Sequence, residues 1–203
     1  SFSTPLSVGV ADIDGDGDPD IASVSWSGDD VLWWDNSSGD GSTWVERTID
    51  VSFDGATAVK LADIDRDGDI DVIGAAENGD EVAWWENTTG EGTTWTKHSV
   101  ATAFDRARFV DVADVDGDGD PDLLGASTGL HDIVWWENTA GDGSTWTTHT
   151  IDAAFAGASF VHAEDIDADG DVDVIGTSMV ADDVVWWENS SGDGSTWVEH
   201  TVA

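Results

Sequence analysis

The chain has 203 residues, with 44 acidic against 6 basic side chains, a formal net charge of −38, 13 tryptophans, and neither tyrosine nor cysteine. Such a charge repels nucleic-acid phosphates and anionic membranes, and the lack of cysteine excludes disulfides and thiolate metal sites. No run approaches the roughly 18 apolar residues of a membrane span, and no basic-then-apolar leader opens the sequence, which reads as a mature or trimmed form.

Taken in chain order, the first 50 residues predict four short strands. Ser7 to Ile13 alternates towards an acidic run, Asp12-Ile13-Asp14-Gly15-Asp16-Gly17-Asp18-Pro19-Asp20, and Ile21 to Trp26 follows with β-branched and aromatic residues. A polar turn at Ser27–Asp30 leads to Val31-Leu32-Trp33-Trp34. A glycine-rich turn over Asn36–Ser42 then leads to a last strand from Trp44 to Ile49.

The whole unit then returns. The Trp-Trp pair recurs at Trp84-Trp85, Trp135-Trp136 and Trp186-Trp187, a constant step of 51 residues, and Phe2, Phe53, Phe104 and Phe155 open successive copies. The third strand is apolar at four successive positions in every copy, so both its faces must be buried. The fourth is studded with polar groups, such as Lys97 and His98 or Glu199 and His200, as suits an outer edge that must resist further pairing.

A four-stranded antiparallel unit with two covered faces and a protected edge, repeated at this period, is the blade of a β-propeller. The predicted fold is therefore all-β: one repeat domain of four blades at about 1–50, 51–101, 102–152 and 153–203. A β-solenoid is the weaker alternative, because its rungs are usually shorter. Four copies could close as a small ring or two chains could pool blades, and no spare terminal strand is evident to latch the last blade to the first.

Each acidic run places carboxylates at relative positions 1, 3, 5, 7 and 9, with glycine at position 6 (Gly17, Gly68, Gly119 and Gly170). Hard oxygens at alternate positions suit Ca²⁺, which takes six to eight of them, better than Mg²⁺, which keeps its waters. The candidate metal residues are Asp12, Asp14, Asp16, Asp18 and Asp20; Asp63, Asp65, Asp67, Asp69 and Asp71; Asp114, Asp116, Asp118, Asp120 and Asp122; and Asp165, Asp167, Asp169, Asp171 and Asp173. The expectation is about one ion per repeat, four per chain. An EF-hand is excluded because its position-12 glutamate is replaced by Ser23, Gly74, Gly125 and Gly176. Plain Asp-Gly turns would leave five mutually repelling carboxylates in nine residues without a counter-ion. Four dications would lower the charge only to about −30, and the remaining excess suits a solvated surface in a salty medium.

These residues resemble the FG-GAP or VCBS repeat propellers found in integrin α-subunit heads and in several secreted propeller lectins. The loop matches the family form Asp-x-Asp/Asn-x-Asp-Gly-x-x-Asp, and the Phe-Gly element survives as Phe53-Asp54-Gly55 and Phe155-Ala156-Gly157. In copy one the resemblance implies the side chains of Asp12, Asp14, Asp16 and Asp20 and the main-chain carbonyl of Asp18 as ligands. Position 7, often aromatic in the family, is aspartate in all four copies, and the Gly-Ala-Pro element is reduced to forms such as Gly74-Ala75-Ala76.

Positions that break the repeat are where a task could sit. Gly9, Lys60, Asp111 and His162 are equivalent, Glu164 replaces an alanine, and Arg106-Ala107-Arg108 precedes the third copy. His162 and Glu164 share a strand face and could do acid-base work, but no nucleophile or second carboxylate is tied to them. Trp33, Trp34 and their copies read as blade core. Trp44, Trp95, Trp146 and Trp197, beside the glycine-rich turns, are the candidate sugar-binding residues, since indole faces stack on sugar rings and are favoured at hot spots. The expectation is a non-enzymatic, calcium-stabilised propeller, extracellular or on the cell surface, that binds a glycan or another protein. The alternative is a subunit that self-associates into a dimer or polymer; a polysaccharide-active enzyme ranks third.

Overall fold

The computed structural model describes residues 2–203 as sixteen strands in four separate four-stranded antiparallel sheets, the strand order in each following the chain. The first sheet holds β1 (Pro5–Ala11), β2 (Asp20–Ser25), β3 (Asp30–Asp35) and β4 (Val45–Asp50), and the second β5 (Ala56–Ala62), β6 (Asp71–Ala76), β7 (Glu81–Asn87) and β8 (Trp95–Ala101). The third holds β9 (Ala107–Ala113), β10 (Asp122–Ser127), β11 (Ile133–Asn138) and β12 (Trp146–Asp152), and the fourth β13 (Ala158–Glu164), β14 (Asp173–Ser178), β15 (Val184–Asn189) and β16 (Trp197–Thr201). These are the four blades of an all-β propeller, stacked through their first strands: β1 on β5, β5 on β9, and β9 on β13.

Strand ends differ slightly from the sequence reading. The first strand stops at Ala11, because the acidic loop begins there, and Ile13 turns inward to become a buried plug. The second stops at Ser25, which leaves Trp26 exposed in the following turn.

The apolar cores lie between blades rather than within them. Three clusters form: one joins Trp33 and Val31 to Phe53, Val59 and Trp85; the next joins Trp84 and Ile73 to Phe104, Val110 and Trp136; the last joins Trp135 and Leu124 to Phe155, Val161 and Trp187. This follows from the Trp-Trp pair, whose two side chains must point to opposite sheet faces. The second indole of each pair meets the opening phenylalanine of its own copy edge to face, with centroids 4.8 Å apart for Phe53 and Trp85 and 5.0 Å for Phe104 and Trp136. Glycine on the second strand makes the room, since a Cβ on Gly125 would sit 2.5 Å from the Trp136 ring.

The first indole of each pair reaches forward into the next blade. The ring of Trp33 lies against Gly92, where a Cβ would come within 2.4 Å, and its indole N–H donates to the Gly92 carbonyl at 3.2 Å. Trp84 fills the same place at Gly143, and Trp135 at Gly194. A basic or imidazole group from the outer strand covers each of these rings from the other side. His98 stacks on Trp84 at 4.5 Å while bonding Glu86 at 2.8 Å, and Arg47 lies over Trp33 while pairing with Asp35.

Among the described residues the series of cores stops at three, and the two end blades each keep one uncovered face. Val8 of β1 is 63% exposed while its equivalent Val59 is 1% exposed, and Leu6 and Val10 are likewise open. At the other end Phe160 is exposed and Trp186 only half buried.

Candidate metal centres

Each β1–β2-type loop folds on its own carboxylates. Asp12 accepts the N–H of Gly17 at 3.0 Å, Asp14 that of Asp16 at 3.3 Å, and Asp16 that of Asp18 at 2.9 Å. The same bonds recur in the second, third and fourth loops, including Asp63 with Gly68, Asp114 with Gly119 and Asp165 with Gly170. The turn needs a left-handed residue at position 6, and Gly17 supplies it with φ 95° at no steric cost.

The ninth position does most to anchor the loop. Asp20 is 1% exposed, takes the N–H of Ile13 at 3.0 Å on one oxygen and that of Asn36 at 2.8 Å on the other. It thereby ties the loop to the start of the hairpin after β3. Asp71, Asp122 and Asp173 do the same with Asn87, Asn138 and Asn189.

Three carboxylates converge in every loop. Asp12, Asp14 and Asp20 each offer an oxygen within 4.8 Å of the others, as do Asp63, Asp65 and Asp71, then Asp114, Asp116 and Asp122, then Asp165, Asp167 and Asp173. Burial pushes Asp71 and Asp122 up to about 7, against the two backbone N–H groups that each accepts. Desolvation also raises Asp14, Asp65, Asp116 and Asp167, with the neighbouring carboxylates adding to it.

The donor set fits a dication. Asp12, Asp63 and Asp114, members of the converging groups, each keep one buried oxygen with no hydrogen-bond partner, and buried acceptors are seldom left unpaired. Carboxylates packed this closely in a partly dehydrated loop repel one another, and a bound cation would offset that repulsion.

The other two carboxylates of each run stay outside the converging group. The position-5 side chains of Asp16, Asp67, Asp118 and Asp169 accept the N–H two residues on. At position 7, Asp18, Asp69, Asp120 and Asp171 press against the first glycine of the β3–β4-type hairpin, where a Cβ on Gly39 would fall 2.3 Å from the Asp18 carboxylate. Asp120 also meets the Arg66 guanidinium of the preceding blade's loop. Aspartate in place of an aromatic residue at this position therefore packs under a hairpin and, in the third blade, reaches across to its neighbour.

The four candidate sugar-binding indoles are tied into their own hairpins. Trp44 donates to the Gly41 carbonyl at 2.9 Å, Trp95 to Gly92 at 3.0 Å, Trp146 to Gly143 at 2.9 Å and Trp197 to Gly194 at 2.9 Å. Trp95, Trp146 and Trp197 pack on the adjoining cores, while Trp44 is 40% exposed.

The pattern-breaking positions meet one another across blades. Asp111, almost fully buried on β9, takes Lys60 of β5 at 2.8 Å on one oxygen and Nδ1 of His162 of β13 at 2.7 Å on the other. Glu77 holds both Arg106, at 2.9 Å, and Arg108, at 3.2 Å. His98, His149 and His200 each bond a glutamate of their own blade, and among the described residues none joins a metal-ligating group.

One recurrent side chain escaped the sequence reading. Asn87, fully buried, accepts the Gly92 N–H at 3.0 Å and donates to the Ile13 carbonyl of the preceding blade at 2.9 Å; Asn138 and Asn189 reach Ile64 and Val115 in the same way. Its signal was present as an asparagine two residues after every Trp-Trp pair.

A propeller of near-identical blades, each with its own carboxylate cage, is the class of protein these features define. The chain belongs to the FG-GAP-like repeat family, whose model matches residues 12–74, 63–125 and 114–176 in three overlapping stretches. No curated protein matches it significantly. Among solved structures it is similar to BBS1N in complex with ARL6DN, in a lead-soaked crystal at TM-score 0.62 and 12% identity and a mercury-soaked one at TM-score 0.64 and 11% identity. The likeness covers 99% and 98% of this chain but 57% and 58% of those chains, so it spans a little over half their length. It is also similar to an endo-arabinase from Bacteroides thetaiotaomicron VPI-5482, at TM-score 0.56 and 14% identity, over 100% of this chain and 84% of that one. Identities this low speak for the fold alone.

Proposed function

We propose that the chain is a non-enzymatic propeller, working outside the cell or on its surface, in which Ca²⁺ holds each blade's loop while the exposed loops bind another protein or a glycan. The observation that carries this reading is the position of the cages. Each lies within one blade, clips β1 to β2 and to the following hairpin through Asp20 or its copy, and so acts on architecture. Carboxylate oxygens at alternate positions of a loop favour Ca²⁺ over Mg²⁺, and extracellular modules bind it with Kd of about 10⁻⁴–10⁻³ M, a range that matches calcium outside cells.

The divergent charged side chains pair across blades, Asp111 with Lys60 and His162 and Glu77 with two arginines, which supports a role for them in holding the blades together. The BBS1N relative, crystallised with ARL6DN, supports protein recognition by such a scaffold, and the exposed Trp44 supports a glycan site.

Calorimetric titration of metal-free protein with CaCl₂ should give about four sites per chain with Kd of about 10⁻⁴–10⁻³ M, and the loaded protein should then be screened against a glycan array and surface-protein extracts. Titration without heat would remove calcium from the reading. Hydrolysis of arabinan or another polysaccharide by the loaded protein would replace binding with catalysis.

A further inference from the structure

The three interfaces between blades state what a blade face accepts, and the end blades present one unmatched half each. At every internal interface a forward-pointing indole enters a glycine cradle on the next blade: Trp33 at Gly92, Trp84 at Gly143 and Trp135 at Gly194. An asparagine of that next blade crosses back to a loop carbonyl, Asn87 to Ile13, Asn138 to Ile64 and Asn189 to Val115. A turn residue also caps the next blade's opening segment. The Asp29 carbonyl takes the Phe53 N–H and its carboxylate that of Gly55, and Asp80 does the same for Phe104 and Arg106.

Each element has a fourth member without its mate. Trp186 points forward from the last blade and is only half buried. On the first blade the cradle glycine, Gly41, would place a Cβ 3.8 Å from nothing nearer than its own blade's Trp44, so no indole fills it. Among the described residues the Asn36 side chain bonds only within its blade, donating to the Pro19 carbonyl and accepting the Gly41 N–H. Asp182, with φ 58°, and Thr4, with φ 57°, already hold the left-handed conformations of the capping pairs Asp29 with Gly55 and Asp80 with Arg106. Leu6, Val8 and Val10 lie open on the first blade, where Thr57, Val59 and Leu61 of the second are covered.

We infer that a second copy of this chain occupies these faces, the fourth blade of one copy docking head to tail on the first blade of the other, so that two copies close an eight-bladed ring. The inference is independent of the ligand proposed above. Continuing the repeat register across the seam puts Trp186 into the Gly41 cradle, Asn36 on the Ile166 carbonyl, and Asp182 on the N–H groups of Phe2 and Thr4 of the partner. The occupant is argued from the molecule itself: both halves of the interface belong to one chain, and three copies of that interface already exist within it. An interface of this kind is heterologous and ends only when rotation closes it. Because each copy carries −38, association should strengthen with calcium and with salt.

The test is sedimentation equilibrium of the intact 203-residue chain in CaCl₂ and molar NaCl. The expected species has about twice the 21.4 kDa chain mass and no higher ladder. Val8→Arg alters an exposed residue and Trp186→Glu one that the isolated chain covers only in part, by its own His200, so each variant should remain folded by tryptophan fluorescence and calcium titration. Each should weaken the dimer by roughly 100-fold or more, as loss of a central aromatic anchor or burial of an unpaired charge does. An equimolar mixture of the two variants should recover a dimer, because the mixed pair keeps one seam with both native faces. A monomer under every condition overturns the inference. Dimers that survive both substitutions, or variants that fail to complement, overturn the head-to-tail seam, and an open-ended ladder overturns the closed ring.

Discussion

The metal cages make the sign of the pH dependence of stability a test of occupancy. In the metal-free protein burial pushes Asp71 and Asp122 up to about 7, whereas an unfolded aspartate titrates near about 4. Folding therefore favours their protonated forms. The stability they contribute is complete below the unfolded value and is lost as pH rises through about 7. A three-unit shift corresponds to on the order of 4 kcal/mol per site at the upper limit. With both sites largely ionised at pH 8, the melting temperature of metal-free protein should fall by about 10 °C or more between about pH 5 and pH 8. Calcium reverses the sign, because an occupied cage holds the same carboxylates ionised and protons must displace the ion. The loaded protein should thus gain stability over the same interval. The assay is thermal unfolding by tryptophan fluorescence of dialysed, metal-free protein and of calcium-loaded protein, at one high ionic strength that mutes the general acidic repulsion. The double variant Asp71→Asn, Asp122→Asn should flatten the metal-free slope. Metal-free protein that gains stability from pH 5 to pH 8 as steeply as loaded protein would refute the reasoning.

Three further outcomes follow from packing. Asn87→Ala removes three buried hydrogen bonds and should cost about 3–5 kcal/mol, while Asn36→Ala, measured in the Trp186→Glu background, lacks the cross-blade bond and should cost about 1–2 kcal/mol less by denaturant titration. Gly92→Ala adds a Cβ 2.4 Å from Trp33 at a φ of 60° and should cost about 2–4 kcal/mol; Gly41→Ala in the Trp186→Glu background, with no neighbour closer than 3.8 Å, should cost only the conformational part, about 1–2 kcal/mol. Lys60→Met leaves the buried Asp111 with only its hydrogen bonds to His162 and the Ala163 N–H, and since Lys60 is a third exposed the loss should be about 1–3 kcal/mol in melting experiments.

The sequence was most legible where cause and effect lie within one copy. Nine residues suffice to describe a cage, and the structure brings positions 1, 3 and 9 of each run together, while positions 5 and 7 brace the backbone and the hairpin. The Trp-Trp pair announced a strand covered on both faces, which holds for β7 and β11 between the three cores, while β3 and β15 each keep one indole, Trp34 and Trp186, only partly buried. Contacts between copies were harder. The bond from Asn87 to Ile13 spans 74 positions, so no local pattern marks it. Lys60, Asp111 and His162 stood out as divergent residues, but their pairing depends on first strands lying side by side. Strand ends moved because a loop that folds on its own carboxylates claims Asp12 and Ile13 from the strand that the alternation had extended into them.

Because the cores lie between blades, a single 51-residue copy has an apolar face on each side and nothing of its own to bury them with. Each core takes a neighbouring pair to form, so folding can begin at any of three equivalent interfaces and spread blade by blade. The same feature bears on ancestry. A lone ancestral unit could have gained a core only by meeting its own copies, so association between separate chains would have come before the gene duplications that joined them.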